Sequence, residues 1–197
     1  LWDRCLAAQE AAGRIDPAWA HSIPRLSALI YQERLPEAHA EADALLAECP
    51  RFGHFHYWKG IVHYYAGDLG RAREWVERGY ELDPDNFIAR GVYAFVLAHT
   101  GERERAELQL AAAEPGAAAD GTFTYWIAKV RAALGQPDAA VAWIGRAADL
   151  GYWNAPWMER DRALAPLRHV PAFRAALELV WQRHRSFGAL VEARHAS

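Results

Sequence analysis

The sequence predicts an all-α fold built from repeated helix pairs, and three observations carry that prediction. Gly67, Gly101 and Gly135 recur at intervals of 34 residues, each after an apolar stretch and each before a polar residue, Asp68, Glu102 or Gln136. Small residues keep the same phase: Gly60, Ala94 and Ala128 precede the glycines, and Ala72, Ala106, Ala140 and then Gly79, Ala113, Ala147 follow them. Alanine, the best helix former, makes up roughly a fifth of the chain. A fixed period in this range is the mark of a repeat architecture.

Each column has a physical reason. Two antiparallel helices joined by a short turn approach closely only where a small side chain faces the neighbour. Glycine supplies the turn because it accepts the left-handed backbone conformation that ends a helix. Prolines at Glu48-Cys49-Pro50 and Leu82-Asp83-Pro84 stop one pair and open the next.

In chain order, residues 1–12 read as a helix, with Arg14-Ile15-Asp16-Pro17 as its terminator. The first full pair is degenerate, with Glu33 at the turn, Pro24 inside the first helix, and Ala38 continuing the alanine column backwards. The third pair lacks a terminal proline and runs into Gly116-Ala117-Ala118-Ala119-Asp120-Gly121, which predicts a longer loop. From Pro171 onward Phe173, Leu177, Val180 and Trp181 share one helical face, which suits a capping element.

The stretch Trp58-Lys59-Gly60, Tyr64-Tyr65-Ala66-Gly67-Asp68, Ala72 and Gly79-Tyr80-Glu81-Leu82-Asp83-Pro84 closely resembles a tetratricopeptide repeat (TPR). The resemblance implies a right-handed α-solenoid of helix-turn-helix TPR repeats with a C-terminal capping helix. In that phase residues 18–154 hold four repeats, at about 19–52, 53–86, 87–120 and 121–154. Residues 1–17 then read as the second helix of a preceding partial repeat, so further sequence is expected upstream. Residues 155–197 form the connector and capping helix. The run from Gly151 through Trp157 to Phe173 looks like the closing segment of TPR arrays in bacterial signalling proteins of the serine/threonine kinase, cyclase or transcriptional regulator type.

Composition narrows the function classes. The net charge of −3 is small and the basic residues are interspersed with acidic ones, so no nucleic-acid groove is expected. No apolar run is long enough for membrane insertion. Cys5 and Cys49, the only cysteines, lack metal or redox spacing and read as ordinary thiols. No cofactor is implied. A cytoplasmic location is expected, or a periplasmic one if a transmembrane segment precedes this sequence.

His54, His56 and His63 are close on one helix and suggest a metal-dependent enzyme as an alternative. They lack the H-E-x-x-H carboxylate. Glu159, Arg160, Asp161 and Arg162 read as loop ion pairs pinning the capping helix rather than as an acid–base set. No glycine-rich phosphate loop, nucleophile elbow or paired cysteine motif occurs.

The TPR resemblance implies a non-catalytic protein–protein interaction module whose first helices line a concave groove. In register, the groove residues are Ile23, Ser27 and Tyr31 in the first repeat, and His54, Tyr57, Ile61, Tyr64 and Tyr65 in the second. Ile88, Phe95 and His99 follow in the third, then Tyr125 and Lys129 in the fourth. With Lys129 the sole fixed cation, a clamp for acidic chaperone tails is disfavoured. An aromatic, small-residue surface suits an apolar or amphipathic peptide segment of another protein. Burial of part of it by the chain's own tail, or a self-association scaffold giving a homo-oligomer, is the competing expectation.

Overall fold

The structure, a computed structural model, describes residues 2–15 and 21–195. The fold is all-α, of the TPR type, with no strand among the described residues. Eleven helices run along them: α1 (Trp2–Ile15), α2 (Ile23–Tyr31), α3 (Leu35–Glu48), α4 (Gly53–Tyr65), α5 (Leu69–Leu82), α6 (Phe87–His99), α7 (Arg103–Ala117), α8 (Gly121–Ala133), α9 (Pro137–Asp149), α10 (Ala155–Arg160) and α11 (Pro171–His195). A 3-10 segment, Arg162–Leu167, separates the last two.

The period of the sequence becomes a period of helix starts. Helices α4, α6 and α8 begin at residues 53, 87 and 121, and α5, α7 and α9 at 69, 103 and 137. Helix α3 begins at 35, one period before α5. At the turns, Gly67, Gly101 and Gly135 adopt φ of 89°, 86° and 69°. The residue after each glycine donates its N–H back across the turn, Asp68 to His63 O, Glu102 to Leu97 O and Gln136 to Arg131 O, at 2.9–3.0 Å. These bonds satisfy carbonyls that a helix end otherwise leaves open. The degenerate turn keeps the geometry without the glycine: Glu33 sits at φ 59° and Arg34 N–H donates to Leu29 O at 2.9 Å.

The small-residue columns mark the closest helix approaches. A Cβ placed on Gly60 would stand 2.5 Å from Val76 Cγ2 and 2.7 Å from Ala72 O, so α4 and α5 could not lie this close with any larger residue there.

Two sequence expectations are corrected. Pro24 does not interrupt a helix; α2 starts at Ile23, capped by Ser22 Oγ accepting from Arg25 N, so the proline occupies the first turn where its missing N–H costs nothing. The third pair has no longer loop. Helix α7 continues through Pro115 to Ala117, and only residues 118–120 precede α8, capped by Asp120 accepting from Thr122 N and Phe123 N. Pro115 lies in the last turn, and the carbonyl that loses its helical partner there belongs to the exposed Ala111.

The chain divides into two compact units, Leu1–Ala89 and Arg90–Ser197. In the first, Leu26, Leu29, Ile30, Leu45, Ile61, Val62 and Val76 are buried. In the second, Leu97, Leu110, Ile127, Ile144, Met158 and Leu164 are buried, together with Phe173 and Val180 of α11. Helix α11 is tied down by Arg183 donating to Asp149 Oδ1 and His184 Nδ1 donating to Trp153 O, both at 2.8 Å. The terminator residues Asp16 and Pro17, and the expected repeat start at residue 19, lie outside the described residues. Cys5 is half-buried and Cys49 exposed, both free thiols.

Candidate functional site

The groove expectation is corrected at six of its thirteen positions. Tyr57, Ile61, Tyr64, Phe95, Tyr125 and Lys129 are 2% exposed or less, so they offer no surface to a partner. Ile23, Ser27, Tyr31, His54, Tyr65, Ile88 and His99 are half-buried and reach the surface. The division follows repeat register. Tyr31, Tyr65 and His99 occupy one column at 34-residue spacing, and His54 and Ile88 another, both near helix ends. Five of the six buried residues lie in the interior of α4, α6 and α8, and Tyr64 is buried one residue from the end of α4.

In the second unit the chain fills its own surface. Tyr152 stacks on Tyr125 with ring centroids 4.5 Å apart. The Tyr125 hydroxyl donates to Asp161 Oδ2 at 2.7 Å, and that oxygen lies 3.9 Å from Lys129 Nζ. Asp161 Oδ1 accepts from Ala163 N at 2.9 Å, so the fully buried carboxylate also opens the 3-10 segment. Lys129 Nζ lies 3.1 Å from the centroid of the Trp126 ring, with the rings of Tyr125 and Phe95 at 5.1 and 5.4 Å. Burial in this aromatic cage pushes the ammonium down to about 8, against the opposing pull of Asp161. The expectation that Asp161 pins the capping helix is corrected: it points inward to α8, while Glu159, Arg160 and Arg162 are exposed.

On α4, His54 stacks on Tyr57 at 4.7 Å, and burial lowers it to about 4, which keeps the imidazole neutral near pH 7. The buried Tyr57 hydroxyl has no hydrogen-bond partner among the described residues, and burial raises its phenol, with Asp83 adding to the effect. Tyr64 and Tyr65 meet edge to face at 5.0 Å. His99 Nδ1 donates to Phe95 O at 2.8 Å and its ring packs on Phe95 at 4.4 Å. Burial lowers His99, opposed by that hydrogen bond.

The three histidines of the metal alternative are dispersed. His54 packs on Tyr57, the ring of His56 meets Pro50 O through Nε2 at 2.7 Å, and His63 abuts His39 edge to face at 4.6 Å. Among the described residues no three His, Cys, Asp or Glu side chains are grouped to hold a metal. Nor is any described helix long and apolar enough to cross a membrane.

Sequence reasoning missed the buried Lys129–Asp161–Tyr125 set. Its one signal was a lone lysine inside the otherwise apolar run Phe123-Thr124-Tyr125-Trp126-Ile127-Ala128 and Val130.

Residues 53–86 match the family model described as tetratricopeptide repeat. Among solved structures, the chain is similar to a thermophilic TPR protein of Thermus thermophilus, with a TM-score of 0.59 and 18% identity over 84% of this chain and 90% of that one. It is also similar to YrrB, a TPR protein with an unusual peptide-binding site, at TM-score 0.44 and 21% identity over 80% and 81% of the two chains. MamA of Desulfovibrio magneticus gives a TM-score of 0.47 and 19% identity over 82% and 92%. No sequence relative was found among the curated proteins.

Proposed function

We propose that the chain is a protein-interaction module that receives an apolar or amphipathic peptide on the first helices of its repeats. One observation carries this reading: half-buried aromatic residues recur at the repeat spacing, Tyr31 at the end of α2 and Tyr65 at the end of α4. Ile23, Ser27 and Tyr31 extend it along α2 at four-residue intervals, one face of the helix. Tyrosines suit such a surface because they give large contact area at low entropic cost and keep a hydroxyl for hydrogen bonding. Among the described groove positions no fixed cation reaches the surface, since Lys129 is buried, so an acidic chain terminus is a poor ligand for them. The likeness of residues 151–173 to the closing segments of signalling TPR arrays supports placing the module in a larger bacterial signalling protein.

Selection of a displayed peptide library on the immobilised chain, followed by fluorescence anisotropy of the selected peptides, tests the reading. A Tyr31→Ser, Tyr65→Ser variant with an unchanged melting temperature should bind apolar peptides at least about tenfold more weakly. Equal affinity for both proteins would remove the proposed surface.

A second reading, self-association, is favoured by α11. Leu179, Phe187 and Leu190 fall within one helical face and are 59%, 42% and 66% exposed. Sedimentation equilibrium decides it: a concentration-dependent dimer lost in Leu179→Glu, Leu190→Glu would support it, and a monomer throughout would end it.

A further inference from the structure

The first unit carries a second concavity, on the opposite face of α4 from His54 and Tyr65 by helical phase. It encloses about 700 Å³ and is lined by His39 and Asp43 from α3, Lys59 and His63 from α4, and Asp68 and Arg71 at the start of α5. Trp75 closes one wall.

Repeat register shows that two of these polar residues, Lys59 and His63, take positions that another repeat fills from the core. Lys59 stands where later repeats place Tyr93 and Ile127, and His63 where the third places Leu97, all of them buried. The Lys59 position is filled from the core in both later repeats, whereas the His63 position is apolar in the third and carries the half-buried Arg131 in the fourth. Lys59 and His63 are themselves 6% and 7% exposed.

The charge is graded with depth. Lys59 Nζ donates to Asp43 Oδ1 at 2.7 Å, but the lysine side chain is 7% exposed whereas the carboxylate is 65% exposed. Asp68 and Arg71, paired at 3.6 Å, are likewise at the rim. The deepest fixed charge is therefore positive, and a low-dielectric wall strengthens its field. Beside it, the imidazoles of His39 and His63 pack edge to face at 4.6 Å, and neither ring makes a hydrogen bond among the described residues. His39 is half-buried, and both rings line the open pocket with hydrogen-bonding capacity that no described residue uses.

We propose that this pocket binds an anionic group, a phosphate or a carboxylate, through Lys59, Arg71 and the two imidazoles. Nothing in this site depends on the peptide surface of α2 and α4. A metal suits the pocket less well, because no three metal-ligating side chains among the described residues are grouped here.

The anion couples to protons. Burial lowers both histidines, and Lys59 and Arg71 lower them further, with His39 adding to the effect on His63; Asp68 opposes at both and Asp43 at His39. An anion seated among them reverses that field and favours both imidazolium forms, so binding takes up protons and strengthens as pH falls.

The test is titration of the whole chain with inorganic phosphate, followed by imidazole NMR and by calorimetry at pH 7.5 and pH 6. The expected result is a shift of the His39 and His63 resonances, net proton uptake, and affinity about tenfold tighter at pH 6. His39→Gln and Arg71→Gln, with melting temperatures as wild type, should each bind phosphate about tenfold more weakly. Acetate, a phosphoserine peptide with an amidated end and an unphosphorylated peptide with a free end separate the two anion sources; saturable binding of any of them supports the pocket. Absence of any imidazole shift would overturn the proposal. So would an equal shift with chloride at matched ionic strength, or a response to zinc ions that no anion reproduces.

Discussion

Lys59 in the first unit and Lys129 in the second are both lysines on the first helix of a repeat, both withdrawn from solvent, both facing an aspartate. Lys129 meets a carboxylate that is itself fully buried and lies within a cage of three aromatic rings. Lys59 meets a carboxylate that is mostly exposed, at the mouth of an open pocket. The first arrangement closes the chain on itself and leaves no room for a ligand. The second keeps a buried cation in contact with water and with whatever enters. Burial of a charge thus marks structure in one place and a candidate site in the other, and the partner's exposure tells them apart.

The largest expected effect breaks the closed arrangement. Asp161→Ala removes the acceptor of the Tyr125 hydroxyl, the cap on Ala163 N and the counter-charge of Lys129 together. Stranding one member of a buried pair costs about 3–5 kcal/mol, read as a lower denaturation midpoint in urea. Asp161→Asn keeps an acceptor and should recover part of the loss. A cost under about 1 kcal/mol would show that the pair is solvated after all.

The next effect is in pH. Lys129 is lowered to about 8 in the folded chain from an ordinary value of 10.5. Between these values the unfolded chain holds a proton that the folded chain has released, so stability rises with pH across that window. The penalty for burying the charged amine is fully present below pH 8. The gain on going to pH 10.5 is on the order of 2–3 kcal/mol, and Lys129→Met should abolish it. Urea titrations of both proteins at several pH values read the difference directly.

Much of the fold was legible because backbone geometry writes itself into spacing. Gly67, Gly101 and Gly135 announced turns that need a left-handed residue, and Gly60 announced a close helix approach. Of the expected groove positions, those that reach the surface lie mostly at helix ends, as Tyr31, Tyr65 and His54 do, with Ser27 in mid-helix. Register along a helix says which residues share a face, not what comes to lie over that face. Tyr125 and Lys129 read as groove from register alone because the segment that covers them, Tyr152 to Asp161, is distant in sequence. His39 and Asp43 escape notice for the converse reason: they sit on a second helix, and the pocket exists only once α3 lies beside α4.

The same contrast between units extends to their turns. Both helix-pair turns of the second unit carry glycine at positive φ, whereas the first unit holds Glu33 at φ 59° in one of its two. A side chain in that region costs about 1–2 kcal/mol. Glu33→Gly should therefore stabilise the chain by about 1 kcal/mol, less the entropy glycine adds to the unfolded state, and Gly101→Ala should destabilise it by a similar amount. Thermal unfolding measures both. A loss of stability in Glu33→Gly would mean that the glutamate side chain contributes more than its backbone costs.

The smallest effect tests the open lysine. Asp43→Asn removes the counter-charge of Lys59, as the Asp161 variants do for Lys129, but here the carboxylate is 65% exposed and screened by water. Lys59 Nζ also keeps His39 O at 3.4 Å, and the side chain lines the open pocket. The stability cost should stay below about 1 kcal/mol. Affinity for phosphate should rise rather than fall, because a rim carboxylate that repels the anion has gone. Comparing urea midpoints and phosphate titrations of this one variant separates the roles of the two lysines. A cost as large as that of Asp161→Ala, without a gain in anion affinity, would make Lys59 a second structural pair and leave the pocket without its deepest donor.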